Sequence, residues 1–192
     1  MKTIDQIQRW FGKYSDGIRI VFLIHRSKEG GMNNKFKRHL RKIITTNSEE
    51  FFNAIISLQD DMKNSDDPLR IYSSVNSRDI NKAIHRFKVD QLEVDYSNQE
   101  NKNSFYLDIK NKFISCLMKS GSRAESNFII DLDHCDERSF HTIYKILEKK
   151  TNIQTYYKTK NGYHIVTDAF DYTKLNDDRI DVHTDGLLLI DF

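Results

Sequence analysis

At 192 residues, with 38% hydrophobic and 30% charged side chains, the chain is globular in composition and long enough to enclose a sizeable apolar core. Its 30 basic and 28 acidic residues leave a net charge of +2, so total charge singles out neither nucleic acid nor a membrane surface as a partner. No apolar run approaches a bilayer span and the stretch from Met1 to Gly17 carries charges throughout, so the expectation is a soluble cytoplasmic protein with no membrane partner.

In chain order, residues 3–13 read as a short helix with Ile4, Ile7, Trp10 and Phe11 on one side. Ile18 to Ile24 is β-branched and aromatic, the signature of a buried strand, and a Gly30-Gly31 turn follows. Residues 33–44 then read as a helix with Phe36, Leu40, Ile43 and Ile44 inward. The opposite face carries Lys35, Lys37, Arg38, Arg41 and Lys42. That basic stripe is either a solvated face or a contact for a phosphate backbone, where clustered cations displace counterions. Residues 48–64 form a further helix, with Phe51, Phe52, Ile55, Leu58 and Met62 at helical spacing.

Past Asp66-Asp67-Pro68 the pattern changes to a strand over 69–75, and Ser77 is the expected N-cap of a helix reaching about Lys88. A strand ending where a helix begins sets Asn76 and Arg78 beside free backbone N–H groups, which suits either an anion or ordinary capping. Residues 89–103 are polar and Asn-rich and read as a loop, whereas 104–118 read as a helix. Cys116 and Cys135 lack metal-ligand spacing and read as thiols in a reducing compartment.

The stretch 128–133, Phe-Ile-Ile-Asp-Leu-Asp, is the most informative. In a strand, alternate side chains share a face, so Asp131 and Asp133 point one way while Ile130 and Leu132 point into the core. Two like charges so close call for a cation, and hard Mg²⁺ or Mn²⁺ suits carboxylate oxygens. The plain alternative is a strand running out into a polar loop. Ser139 is the expected cap of the next helix, and strands 153–158 and 163–167 flank Asn161-Gly162, a strong hairpin signal. Residues 179–190 supply one or two further strands. Asp181 and Asp185 fall on one face of that run.

The order Asp131-Leu132-Asp133, then Lys158-Thr159-Lys160-Asn161-Gly162-Tyr163-His164-Ile165, then a late acidic strand resembles the archaeo-eukaryotic primase superfamily, the primase-polymerases. The resemblance covers about residues 125–192, and Arg70 to Asp79 resembles small phage-type members more weakly. It implies an α/β (α+β) protein with an RRM-like, mostly antiparallel catalytic sheet flanked by helices. The chain would be one catalytic domain, with 1–120 as its N-terminal α/β part and 121–192 as the motif-bearing sheet.

The implied activity is template-directed nucleotidyl transfer on single-stranded DNA from nucleoside triphosphates, making or extending primers with two Mg²⁺ or Mn²⁺ ions. A helicase or polymerase encoded elsewhere would be a partner. Asp131 and Asp133 would hold metal. The third carboxylate would be Asp185 first, Asp181 second and Asp191 third. His164 would meet the nucleotide phosphates, with Gly162 and Asn161 at the turn and Lys158 or Lys160 adding positive charge. Arg70, Asn76, Arg78, Lys37, Arg38 and Arg41 would be the nucleic-acid contacts. The competing readings are a non-catalytic nucleotide- or nucleic-acid-binding protein on the same fold, and a metal-dependent nuclease.

Overall fold

The computed structural model of the chain describes residues 17–25, 39–159, 161–173, 175, 177 and 179–191. The expected helix at 3–13, the Gly30-Gly31 turn, and Lys35, Lys37, Arg38 and Lys160 lie outside them. The described residues form an α+β protein of five α-helices and two four-stranded antiparallel sheets. The strands are β1 (Arg19–His25), β2 (His39–Thr45), β3 (Leu69–Ser74), β4 (Asn127–Asp133), β5 (Ile153–Lys158), β6 (Gly162–Asp168), β7 (Ile180–His183) and β8 (Leu187–Asp191). The helices are α1 (Ser48–Lys63), α2 (Ile80–Asp95), α3 (Gln99–Leu107), α4 (Ile109–Met118) and α5 (Glu137–Glu148). One sheet runs β2-β1-β3-β8 and the other β5-β6-β4-β7.

The expected helix over 33–44 is corrected across its described part, because 39–45 is a strand paired antiparallel with β1. The side chains show why. Ile43 packs toward one core and Ile44 toward another on the opposite side of the sheet, a division that follows from a period of two. The basic stripe divides in the same way: Arg41 reaches Asp61 and Ser57 on α1, and Lys42 reaches Asn111 on α4.

α1 keeps the expected limits, with Asn47 accepting from the Glu50 amide and Glu49 and Glu50 in the first turn. α2 is capped by Asp79, which accepts from the Asn81 and Lys82 amides; the Ser77 amide donates to Glu125 instead. The expected loop over 89–103 is also corrected. α2 continues to Asp95, and Asn98 then caps α3 by accepting from the Asn101 amide. A run of asparagines reads as a loop, yet one of them is the helix start and buried Phe105 anchors the helix it begins. α5 begins one turn earlier than Ser139 implies, since Asp136 accepts from the Ser139 amide.

Three apolar clusters stack the layers. Ile20 and Phe22 of β1 pack with Ala83 of α2 and with Ile114 and Leu117 of α4 on the outer face of the first sheet. Val21, Leu23, Ile71, Leu188 and Ile190 on its inner face pack with α1, and with Ile129, Tyr157 and Val166 of the second sheet. Ile130, Leu132 and Ile165 pack with Phe140, Ile143 and Leu147 of α5 on the far side of that second sheet. The inner faces of the two sheets therefore share one core. β8 ties them further: it follows β7 of the second sheet but pairs with β3 of the first, so the last strand departs from a boundary drawn at residue 120. No described helix is long and apolar enough to cross a membrane.

Candidate functional site

β4 is central in its sheet, and its alternation sets the site. Ile130 and Leu132 are fully buried against α5, which turns Asp131 and Asp133 to the opposite face, toward the first sheet. Pairing then brings polar side chains to that face from both neighbours. His164 of β6 lies opposite Asp131, and so does Asp181 of β7 on the other side. Tyr157 of β5 lies opposite His164. The result is one row across the sheet, Tyr157–His164–Asp131–Asp181, with Asp133 two residues along β4 on the same face. Side chains directly opposite one another in such a ladder have Cβ atoms about 5 Å apart.

Hydrogen bonds link the row. His164 Nε2 lies 3.1 Å from Asp131 Oδ1, and His164 Nδ1 lies 2.8 Å from the Tyr157 hydroxyl. That hydroxyl donates to the Leu189 carbonyl of β8 at 2.8 Å, crossing from one sheet to the other. Burial pushes the Asp131 carboxyl upward, but the His164 hydrogen bond and charge, together with the His183 charge, outweigh it and hold Asp131 below its ordinary value. Asp181 pairs with His183 Nε2 at 3.3 Å and is well exposed, as is Asp133. Immediately after Asp133, His134 takes a φ of 52°, in the left-handed region that a side chain disfavours, so the chain turns sharply away at the end of the carboxylate pair.

Gly162 has a backbone reason of its own. It pairs with Asp133, and a Cβ there would overlap the Leu132 carbonyl oxygen, so the close approach it permits is first of all that of β4 to β6. Asn161 is exposed at the turn. Lys158 alternates away from Tyr157 and so lies on the face opposite His164.

Asp185 stands elsewhere. Arg78 Nη1 and Nη2 hold its two oxygens at 2.9 Å each, and Asn76 Nδ2 donates to it at 3.1 Å. Asn76 also brackets Asn127, accepting from its amide and donating to its carbonyl. Asp185 thus sits by the first residue of β4, at the other end of the strand from Asp133. Arg78 and Asn76, expected beside an external anion, are buried, and Arg78 Nη1 and Nη2 and Asn76 Nδ2 donate to an internal carboxylate. Arg70 lies on β3 opposite Ile24, half-buried, and Arg41 is engaged by α1. Asp191 is buried and accepts from Gln59 of α1 at 2.7 Å.

The structure therefore groups Asp131, Asp133, His164 and Asp181, and separates them from Asp185, Lys158, Arg78, Asn76, Arg41 and Arg70. It adds Tyr157 and His183, which the sequence reading gave no role. Counting back from a two-residue Asn161-Gly162 turn sets Thr159 against His164; the observed register, with Lys158 opposite Tyr163, sets Tyr157 there instead, so the hairpin signal did not point to Tyr157. As hard oxygen donors on one face, Asp131, Asp133 and Asp181 suit Mg²⁺ or Mn²⁺ in kind. In this arrangement Asp131 and Asp181 each turn an oxygen to a histidine, and among the described residues no group of three or more His, Cys, Asp or Glu side chains converges on a metal position. The chain matches no protein-family model, no curated protein and no solved structure.

Proposed function

We propose that the protein is a metal-dependent nucleotidyltransferase that makes or extends a nucleic-acid strand on a single-stranded DNA template, using nucleoside triphosphates. The observation that carries this reading is the position of Asp131, in register between His164 on one strand and Asp181 on the other, with Asp133 on the same face. Asp131, Asp133 and Asp181 would hold the ions. Two such ions supply Lewis-acid stabilisation at the attacking and leaving oxygens of an in-line displacement.

The chain's own contribution is orientation and charge. The stiff central strand fixes the spacing of the carboxylates, and His164 offers an N–H to a phosphate oxygen. The shared core beneath the row keeps water from one side. Asp181 replaces Asp185 as the third carboxylate in this reading, because register opposes it to Asp131 whereas Asp185 is consumed by Arg78. A second reading, a nucleotide- or nucleic-acid-binding protein without catalysis, is favoured by one observation: Asp131 is already satisfied by His164.

The test is nucleotide incorporation on single-stranded DNA, with and without primer, in Mg²⁺ and in Mn²⁺, beside an Asp131→Ala/Asp133→Ala double variant. Metal-dependent product that disappears in the variant supports nucleotidyl transfer, and the primer-free lane separates synthesis from extension. Bound nucleotide without incorporation supports the binding protein. Degraded template supports a nuclease built on the same carboxylates.

A further inference from the structure

Of the cations expected to meet nucleic acid, Arg78 and Arg41 hold carboxylates of the chain itself. A different row of cations faces solvent along the seam of α2 and α4. Two contacts show that the chain runs antiparallel across this seam. The Asp79 amide donates to the Ser122 carbonyl at 2.8 Å, and the Cys116 thiol donates to Asp90 Oδ2 at 3.4 Å. Between those contacts lie Lys82 and Arg86 on one side and Lys119 and Arg123 on the other. Lys82 and Arg86 are one helical turn apart and share a face of α2, with Cβ atoms about 5–6 Å apart. Lys82 Nζ donates to the Arg123 carbonyl at 3.1 Å, joining the two sides at one end. Burial, then the Asp90 contact, lift the Cys116 thiol to about 11, and the Arg86 and Lys119 charges both oppose that rise, which sets the two cations together at the middle of the seam.

We propose that Lys82, Arg86 and Lys119 bind the phosphodiester backbone of the single-stranded template beside the carboxylate row. The identity of that strand rests on the nucleotidyl-transfer reading. Charge complementarity sets the class of partner. Arg86 and Lys119 are exposed, and among the described residues neither has an ion-pair partner. The carboxylates at their level are occupied, Asp90 by the Cys116 thiol and Asp79 by the amides it caps, and Lys82 stays 55% exposed with Asp79 3.7 Å away. Cations aligned this way suit a repeating anion, whose condensed counterions they displace. Arg123 connects the row to the site: its Nη1 donates at 2.7 Å to the carbonyl of Thr184, the residue after β7. β7 is an outer strand of its sheet and sets Asp181 against Asp131. Asp181 lies three residues before Thr184, about 10 Å at the rise of a strand. A nucleic-acid strand crossing the outer edge of β7 therefore meets both the cations and the carboxylates.

The experiment is binding of a fluorescein-labelled oligothymidylate to the full chain, followed by anisotropy across a salt series, with EDTA and without nucleotide. For single strands the logarithm of affinity falls with the logarithm of salt by about 0.7 per phosphate contacted. Arg86→Gln/Lys119→Gln should weaken binding and reduce that slope by about 1.4, the share of two contacts. Lys149→Gln/Lys150→Gln removes the same charge from the exposed end of α5, on the opposite outer layer, and should keep the wild-type slope. Arg86→Lys/Lys119→Arg retains the charges and should bind as wild type does. A slope unchanged in Arg86→Gln/Lys119→Gln, or an equal loss in either control, overturns the proposal. So does a wild-type chain that does not bind the oligonucleotide. The assay needs neither metal nor turnover, so the two readings fail separately. The expected loss of slope in a chain that incorporates no nucleotide sinks nucleotidyl transfer alone, and incorporation with an unchanged slope sinks the cation row alone.

Discussion

Arg78 grips Asp185 through two parallel N–H···O contacts, each 2.9 Å long, with the guanidinium sealed from solvent. The pair joins the segment after β3 to the turn between β7 and β8, which is where the chain passes from one sheet to the other. Bidentate geometry and the third donor from Asn76 are what make such burial tolerable. Removing one partner strands the other charge. Asp185→Ala is expected to lower unfolding free energy by roughly 3–5 kcal/mol, measured by urea denaturation. An Arg78→Met/Asp185→Leu double variant should recover much of that loss, because no buried charge then remains unpaired.

Asp181 and Asp185 should separate cleanly in function. Asp181 is 74% exposed at its side chain, so Asp181→Asn should leave the thermal midpoint within about a degree or two of wild type. On the proposed reading it should also cut metal-dependent incorporation on the order of 100-fold, as expected for loss of one charged group at a reacting centre. Asp185→Asn should do the reverse: a lower midpoint, with near-normal incorporation per folded molecule. Measuring both variants by calorimetry and by incorporation decides which aspartate belongs to the row.

Gly162→Ala should disrupt the pairing of β4 with β6 directly. The new Cβ meets the Leu132 carbonyl, a backbone atom held in the β4–β6 ladder, so the strands must part to admit it. A cost of about 2–3 kcal/mol is expected. Amide exchange should report it locally, with protection falling at Leu132 and Tyr163 before it falls in the first sheet.

The Asp131–His164 contact predicts a pH signature in stability. Asp131 has a folded value below its ordinary 3.8, so its ionised form is favoured by folding. Its contribution is therefore fully present above 3.8 and is lost as pH falls through the lowered folded value. Comparing wild type with Asp131→Asn by urea denaturation, the stability difference should be steady above that window and shrink below it. A difference that grew on acidification would contradict the sign.

Much of the fold is legible in local pattern. The alternation at 128–133, the strand–turn–strand pattern of 153–167 and the apolar spacing of 48–64 each meet a matching element, because strand and helix periods are written in neighbouring residues, although Gly162, expected in the turn, is the first residue of β6. The failures have physical causes too. Residues 39–45 carry a basic and apolar mixture that fits either period, and pairing with β1 decides between them. Asn98 belongs to a polar stretch whose meaning as a cap appears only once Phe105 is buried.

By itself, the sequence determined that Asp131 and Asp133 share a face and that His164 lies on the second arm of a β-hairpin. Both follow from the two-residue period of a strand and from two alternating runs separated by a short polar segment. Only the tertiary structure decided which later aspartate joins them. Asp181 and Asp185 are an even number of residues apart, so periodicity treats them alike. Strand pairing sets Asp181 against Asp131, and Arg78, 107 positions from Asp185 in the chain, draws Asp185 into a buried ion pair instead.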